Sequence, residues 1–137
     1  MTDYLVDNSV WARLATGDPA ITDRLRRIER APADLFVTCP PQVLEFCHSA
    51  RTPEDHAHYR EQISLGFPLE RAPDESLVLD IQSALWNAGM VRAAGSVDIL
   101  IAGYAIVNDV TVLAADHDFG YIARVTDLQF EYVAPTV

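Results

Sequence analysis

At 137 residues, half of them hydrophobic, the chain suits one globular domain with a core of its own, and no uncharged apolar run approaches the roughly 18 residues of a membrane span, so a cytoplasmic location is expected. A net charge of −10 excludes a general basic surface for gripping nucleic acid, so any polyanion must be held locally, through metal and a few arginines. All ten basic residues are Arg, and without lysine neither a P-loop nucleotide hydrolase nor a response-regulator receiver can be built.

Tyr4 to Val6 is a short apolar run that reads as a buried strand. Asn8 or Ser9 then caps a helix carrying Val10, Trp11 and Leu14, which ends near Gly17-Asp18-Pro19. Ile21 to Arg30 is a second helix with Leu25 and Ile28 inward, broken by Ala31-Pro32-Ala33-Asp34. Leu35 to Thr38 is the next strand, and Pro40-Pro41 suits the first turn of a helix reaching about Ala50. Glu54 to about Leu65 is a polar, solvated helix. Asp74 caps a longer one, whose inward stripe Leu77, Ile81, Ala84, Leu85 and Ala88 is closed by Gly89. From Val97 to about Val107 the pattern is apolar almost all round, as in a helix buried against a sheet, with Ser96 as its cap. Thr111 to Leu113 is a third strand, Phe119 to Ala123 a short helix, and Phe130 to Val133 a final strand. Strands alternating with helices predict an α/β fold, a three-layer α/β/α sandwich with a central, mainly parallel sheet, formed as a single domain over residues 1–137.

In open parallel sheets, ligands settle beyond the carboxyl ends of the strands. Asp7 follows the first strand, Asp116 follows the third, and Asp98 opens the buried helix, so the topology gives three acids a common rim. Each has a plainer reading when taken alone. Asp7 can prepare the turn into the first helix, Asp98 can complement a helix dipole, and Asp118 can cap the helix starting at Phe119. Jointly, chance placement is the weaker explanation. Glu45 faces away from Val43, Leu44, Phe46, Cys47 and Ala50 on a helical wheel, and by periodicity alone it is solvated. Cys39 and Cys47 match neither a redox pair nor a zinc knuckle and read as buried thiols. His56 and His58, two apart on a helix, share no face for a metal. Arg13, Arg24, Arg27 and Arg92 fall on or near helices that start at the rim, which makes them candidates for phosphate contact.

Four segments taken in order carry a likeness: Val6-Asp7-Asn8-Ser9-Val10-Trp11, Gln42-Val43-Leu44-Glu45-Phe46, Asp98-Ile99-Leu100-Ile101-Ala102-Gly103-Tyr104-Ala105, and Ala115-Asp116-His117-Asp118-Phe119. Together they resemble the PIN-domain ribonucleases, in particular the VapC-type toxins of bacterial toxin–antitoxin pairs. The resemblance spans nearly the whole chain, and its second half is the more specific. It implies a PIN-like fold, with Asp7, Glu45, Asp98 and Asp116 as catalytic and metal-holding acids, Asp118 as an accessory ligand, and Ser9 as a hydroxyl near the metal. Oxygen donors without His or Cys select hard cations, so Mg²⁺ or Mn²⁺ is expected. The implied reaction is hydrolysis of RNA by activated water, leaving a 5′-phosphate and a 3′-hydroxyl. The likeness further implies a VapB-type antitoxin whose tail places an Arg among the acids, and a symmetric homodimer. Ala114 departs from the family pattern, which usually has Thr or Ser there, two residues before the fourth acid. Two rivals stand beside this reading. A haloacid-dehalogenase-type phosphatase needs a second acid where the chain has Ser9, and a PIN-like module without turnover would bind protein or RNA and cut nothing.

Overall fold

A computed structural model describes residues 1–136; Val137, the last residue of the expected domain span, lies outside the described residues. Its strands are β1 (Asp3–Val6), β2 (Leu35–Thr38), β3 (Phe67–Pro68), β4 (Thr111–Ala114) and β5 (Gln129–Tyr132), all parallel in the order β3-β2-β1-β4-β5. Helices α1 (Asn8–Ala15), α2 (Pro19–Arg30), α3 (Pro40–His48), α4 (Pro53–Ile63), α5 (Glu75–Asn87), α6 (Ser96–Asn108) and α7 (Asp118–Ala123) connect them. Among the described residues no helix is long and apolar enough to cross a membrane.

Alternation along the strands builds the layers, because successive side chains point to opposite faces. Tyr4, Val6 and Leu113 pack with Val10 of α1 and Ile21, Leu25 and Ile28 of α2. Leu5, Val37, Val112 and Ala114 face the other way, against Ile81 and Leu85 of α5, Ile99 and Ala102 of α6, and Phe119 and Ile122 of α7. Each fully buried Leu, Ile or Phe contributes roughly 1.5–3 kcal/mol. α6 is the most enclosed helix, with Ile101, Ala102 and Ala105 at most 1% exposed.

Strand β3 falls where the sequence predicts none. It is two exposed residues long and is held by register, Val37 opposite Phe67 and Thr38 opposite Pro68, with the Leu69 amide donating to the Thr38 carbonyl at 2.8 Å. Proline cannot donate to a ladder and is tolerated at this sheet edge. Gly66 lets the strand approach, since a Cβ there would lie 2.7 Å from Thr38 Cγ2.

The helix starts differ at four places. Asp7, not Asn8 or Ser9, caps α1; Asp18 caps α2, with Pro19 in its first turn ahead of Ile21. Gly95 precedes α6, so Ser96 is its first residue and not its cap. α7 begins at Asp118 with His117 before it, so Asp118 is not a cap. Asp7 and Gly95 are still extended while His117 is already helical, and periodicity alone cannot locate that change to one residue. Asp74 caps α5 as expected, accepting from Leu77 N at 2.8 Å.

Candidate metal centre

From β1 the chain runs outward through β2 to β3, then returns to the other side of β1 for β4 and β5. The strand order therefore reverses between β1 and β4, and a crevice opens at their carboxyl ends, the place where ligands bind in such sheets. Asp7 directly follows β1 there. Its amide extends the ladder by donating to the Leu113 carbonyl of β4 at 2.9 Å. Its Oδ2 accepts from Ser9 N at 3.1 Å, which starts α1. Oδ1 has no donor among the described residues, and the residue is only 5% exposed.

Asp7, Glu45 and Asp98 each bring one carboxylate oxygen to within 4.8 Å of the other two. Asp98 arrives on the first turn of α6, where helix N–H groups point outward and favour an anion. Burial, followed by repulsion from Asp7, Asp118, Glu45 and Asp116, pushes its carboxyl up to about 7. Burial also raises Glu45, with Asp7 and Asp116 adding to it. Among the described residues no arginine forms a salt bridge with any of these acids. Within the trio, no cationic side chain among the described residues is paired to a carboxylate.

Glu45 is half-buried at the crevice, against its solvated expectation, and Leu44, assigned to the inward side, is 71% exposed. The cause is Gln42, which periodicity did not single out. It is 1% exposed, its Nε2 donates to the Val6 carbonyl at 2.6 Å, and its Oε1 accepts from Cys39 N at 3.4 Å. A buried amide makes such bonds because leaving it bare costs roughly 1–3 kcal/mol. This anchor ties α3 to the end of β1, one residue before Asp7, and Glu45 stands three residues on from it. The available signal was a glutamine inside an apolar run, one turn ahead of an acid.

Asp116 and Asp118 stand outside the trio at its edge. Asp116 is half-buried and raised by burial and by Asp7, while the Asp118 amide, donating to its Oδ1 at 3.3 Å, and the Arg13 charge pull the other way. The Ser9 hydroxyl accepts from Ala115 N at 2.9 Å, which fixes the segment leading into Asp116. Arg13 thus lies beside the site, donating to the Ser9 carbonyl at 3.2 Å. Arg24 is removed from phosphate duty by Glu131, at 2.6 Å and 3.0 Å, and by Tyr4. Arg27 is exposed beside Asp23 at 3.5 Å, and Arg92 is exposed on the loop before α6. Both cysteines are buried and free, and burial raises the Cys39 thiol to about 11. Ala114 is fully buried on the α5–α7 side of the sheet.

Next to the acids runs a groove of about 900 Å³ between α1, α2, β2, α3 and α4. Asn8 and Phe46, the neighbours of Asp7 and Glu45, line it together with Trp11, Phe36, Tyr59 and Leu65. Its rings touch in series, Phe36 to Trp11 at 6.1 Å, Trp11 to Phe46 at 6.2 Å and Phe46 to Tyr59 at 5.3 Å. The Trp11 indole N–H is buried and has no hydrogen-bond partner among the described residues.

Comparison with known proteins gives concordant results. The PIN domain family model matches residues 4–125. The chain is 33% identical over 135 residues to "Ribonuclease VapC21" of Mycobacterium tuberculosis, covering 96% of this chain and 94% of that protein. It is 30% identical over 132 residues to "VapC ribonuclease Mb1587" of Mycobacterium bovis, covering 91% and 95%. Among solved structures, a chain of VapBC2 from Rickettsia felis, determined bound to a DNA fragment from the promoter, superposes with a TM-score of 0.73 at 14% identity, over 96% of this chain and 98% of that one.

Proposed function

Since the chain belongs to the PIN-domain family and is an endoribonuclease of the toxin–antitoxin type, we propose that Asp7, Glu45 and Asp98 hold a divalent cation, Mg²⁺ or Mn²⁺, at which RNA is hydrolysed, with Asp116 and Asp118 completing the acidic rim. One observation carries this reading: three carboxylates from β1–α1, α3 and α6 converge within 4.8 Å with no cationic side chain paired to them among the described residues. Unsoftened by His or Cys, this donor set fits a hard cation. A carboxyl raised to about 7 holds a proton that a cation would displace.

A divalent ion bound there supplies Lewis acidity, for attack by water and for charge on the phosphoryl oxygens. The residues supply the rest. Asp7, fixed at its Oδ2 by the Ser9 amide, presents Oδ1 without rotational freedom to lose. Glu45, raised toward neutrality, is suited to accept the proton that water gives up. Arg13 stands where a phosphate oxygen would find a guanidinium beside Asp116. Water, and not the RNA 2′-hydroxyl, is the nucleophile. Incubating structured RNA with the protein and Mn²⁺ should therefore leave 5′-phosphate and 3′-hydroxyl ends, and a 2′,3′-cyclic phosphate would refute the route.

The partner proposed for the groove is a VapB-type antitoxin, laying an apolar helical face on Trp11, Phe36, Phe46 and Tyr59 and reaching an Arg toward the carboxylates. The groove adjoins the acids, an occupant's carbonyl could satisfy the Trp11 N–H, and a chain of charge −10 favours a basic tail. Leu65 lines this groove at 85% exposure, so it can be changed without disturbing the core. Leu65→Glu is expected to weaken antitoxin binding at least about tenfold, roughly 1.4 kcal/mol, while the melting temperature holds; calorimetric titration giving an unchanged Kd would remove the groove from the interface. A symmetric homodimer is proposed through the exposed pairs Leu79 and Trp86 on α5 and Val97 and Leu100 on α6, and sedimentation at single-chain mass would exclude it.

A further inference from the structure

His117 and Tyr132 stack with ring centroids 4.6 Å apart and planes 25° from parallel. The other four ring contacts among the described residues are tilted or edge-on. Both residues are exposed, Tyr132 at 40%. Neither belongs to the two apolar cores, and neither side chain has a hydrogen bond within the described residues. Each ring covers the other's inner face, so the exposed area lies on outer faces and edges. Packing does not account for the pair.

Its position does. Tyr132 ends β5 at the carboxyl rim, opposite Ala114. His117 lies between Asp116 and Asp118 in the chain, its Cα about 3.8 Å from the Cα of each. Both acids are close enough to the metal-holding trio to act on Asp98. A chain without lysine and with charge −10 lacks the electrostatic grip that most nucleic-acid binders use. Stacking of unpaired bases on aromatic rings needs no positive charge and tolerates sequence.

We propose that the His117–Tyr132 pair is a stacking platform on which an unpaired base of the RNA, flanking the phosphate to be cut, extends the ring stack. The platform positions substrate and takes no part in bond breaking. This inference rests on the ribonuclease reading of the neighbouring acids.

The test compares His117→Ala combined with Tyr132→Ala against His117→Phe combined with Tyr132→Phe, which keeps both rings. Binding is read by anisotropy of a fluorescein-labelled 12-nucleotide single strand of mixed sequence, beside its duplex, with Mg²⁺ and an Asp7→Asn background to suppress cleavage. The alanine pair should weaken single-strand binding about tenfold, with duplex binding altered less than about twofold. In the active protein it should raise KM by the same factor and leave kcat within about twofold, and the phenylalanine pair should restore both. Unchanged Kd and KM, a loss in kcat alone, or equal loss with rings retained would overturn the proposal. A fall in antitoxin affinity with RNA binding intact would assign the pair to the protein partner and overturn it as well. Absence of any Asp7-dependent cleavage would instead strike the ribonuclease reading, because the binding measurement does not need turnover.

Discussion

Asp7→Asn is expected to lower the rate of RNA cleavage by about a thousandfold while leaving the fold intact. Asparagine matches aspartate in shape and is as good a helix cap, so the bond from Ser9 N to the side chain survives. Only the negative charge goes, and with it one of the three oxygens that converge within 4.8 Å. Three decades correspond to about 4 kcal/mol of transition-state stabilisation, a size suited to losing a charged ligand at a buried site. Asp118→Asn, at the edge of the cluster, should cost less than about tenfold. Single-turnover cleavage of a labelled RNA, with circular dichroism to verify folding, reads both. Cleavage by Asp7→Asn at more than a tenth of the wild-type rate would mean that the nuclease site lies elsewhere or that the activity is a contaminant.

Without metal, the protein should lose stability as pH rises from about 4 to about 7, and metal should restore it. The Asp98 carboxyl stands at about 7 in the folded chain against an ordinary 3.8, so in that window the folded state holds a proton that the unfolded state has released. Stability then falls with rising pH. At about 1.4 kcal/mol per pH unit the limit is about 4 kcal/mol, and relaxation and solvent screening bring the expected loss to the order of 2 kcal/mol. Urea unfolding in chelator at pH 4.5 and pH 8 reads the slope, which Asp98→Asn should flatten. Adding Mn²⁺ at pH 8 should raise the melting temperature by several degrees, and by less at pH 6, where a proton competes for the same oxygen. Asp7→Asn combined with Asp98→Asn should show no such rise. Equal stabilisation of that double variant by Mn²⁺ would place the ion away from the trio.

Much of the scaffold was legible because its signals are local. Strands β1, β2 and β4 hold short apolar runs rich in β-branched and aromatic residues, β5 alternates polar with aromatic residues, and α6 is apolar almost all round. The all-parallel sheet follows from their alternation with helices, and the common rim for Asp7, Asp98 and Asp116 follows from the sheet. Strand β3 was invisible, since two residues ending in proline carry no pattern and are held only by the register of β2. Glu45 was misread because a helical wheel assumes that apolar residues choose the buried face. In α3 the buried Gln42 chooses it, and Leu44 is left in solvent. The His117–Tyr132 stack joins residues from α7's start and β5, and it needs the two strand ends to lie side by side before any pattern could show it.

The central place of β1 has a consequence for how such a chain is made. Its carboxyl end is completed on one side by β2 and on the other by β4, so Asp7 meets a partner acid from α6 only after some hundred further residues exist. A growing polypeptide still on the ribosome carries Asp7 and Glu45 early yet has neither α6 nor β4 to close the crevice. The three carboxylates can meet only once synthesis has passed Asp98 and α6 has folded onto the sheet.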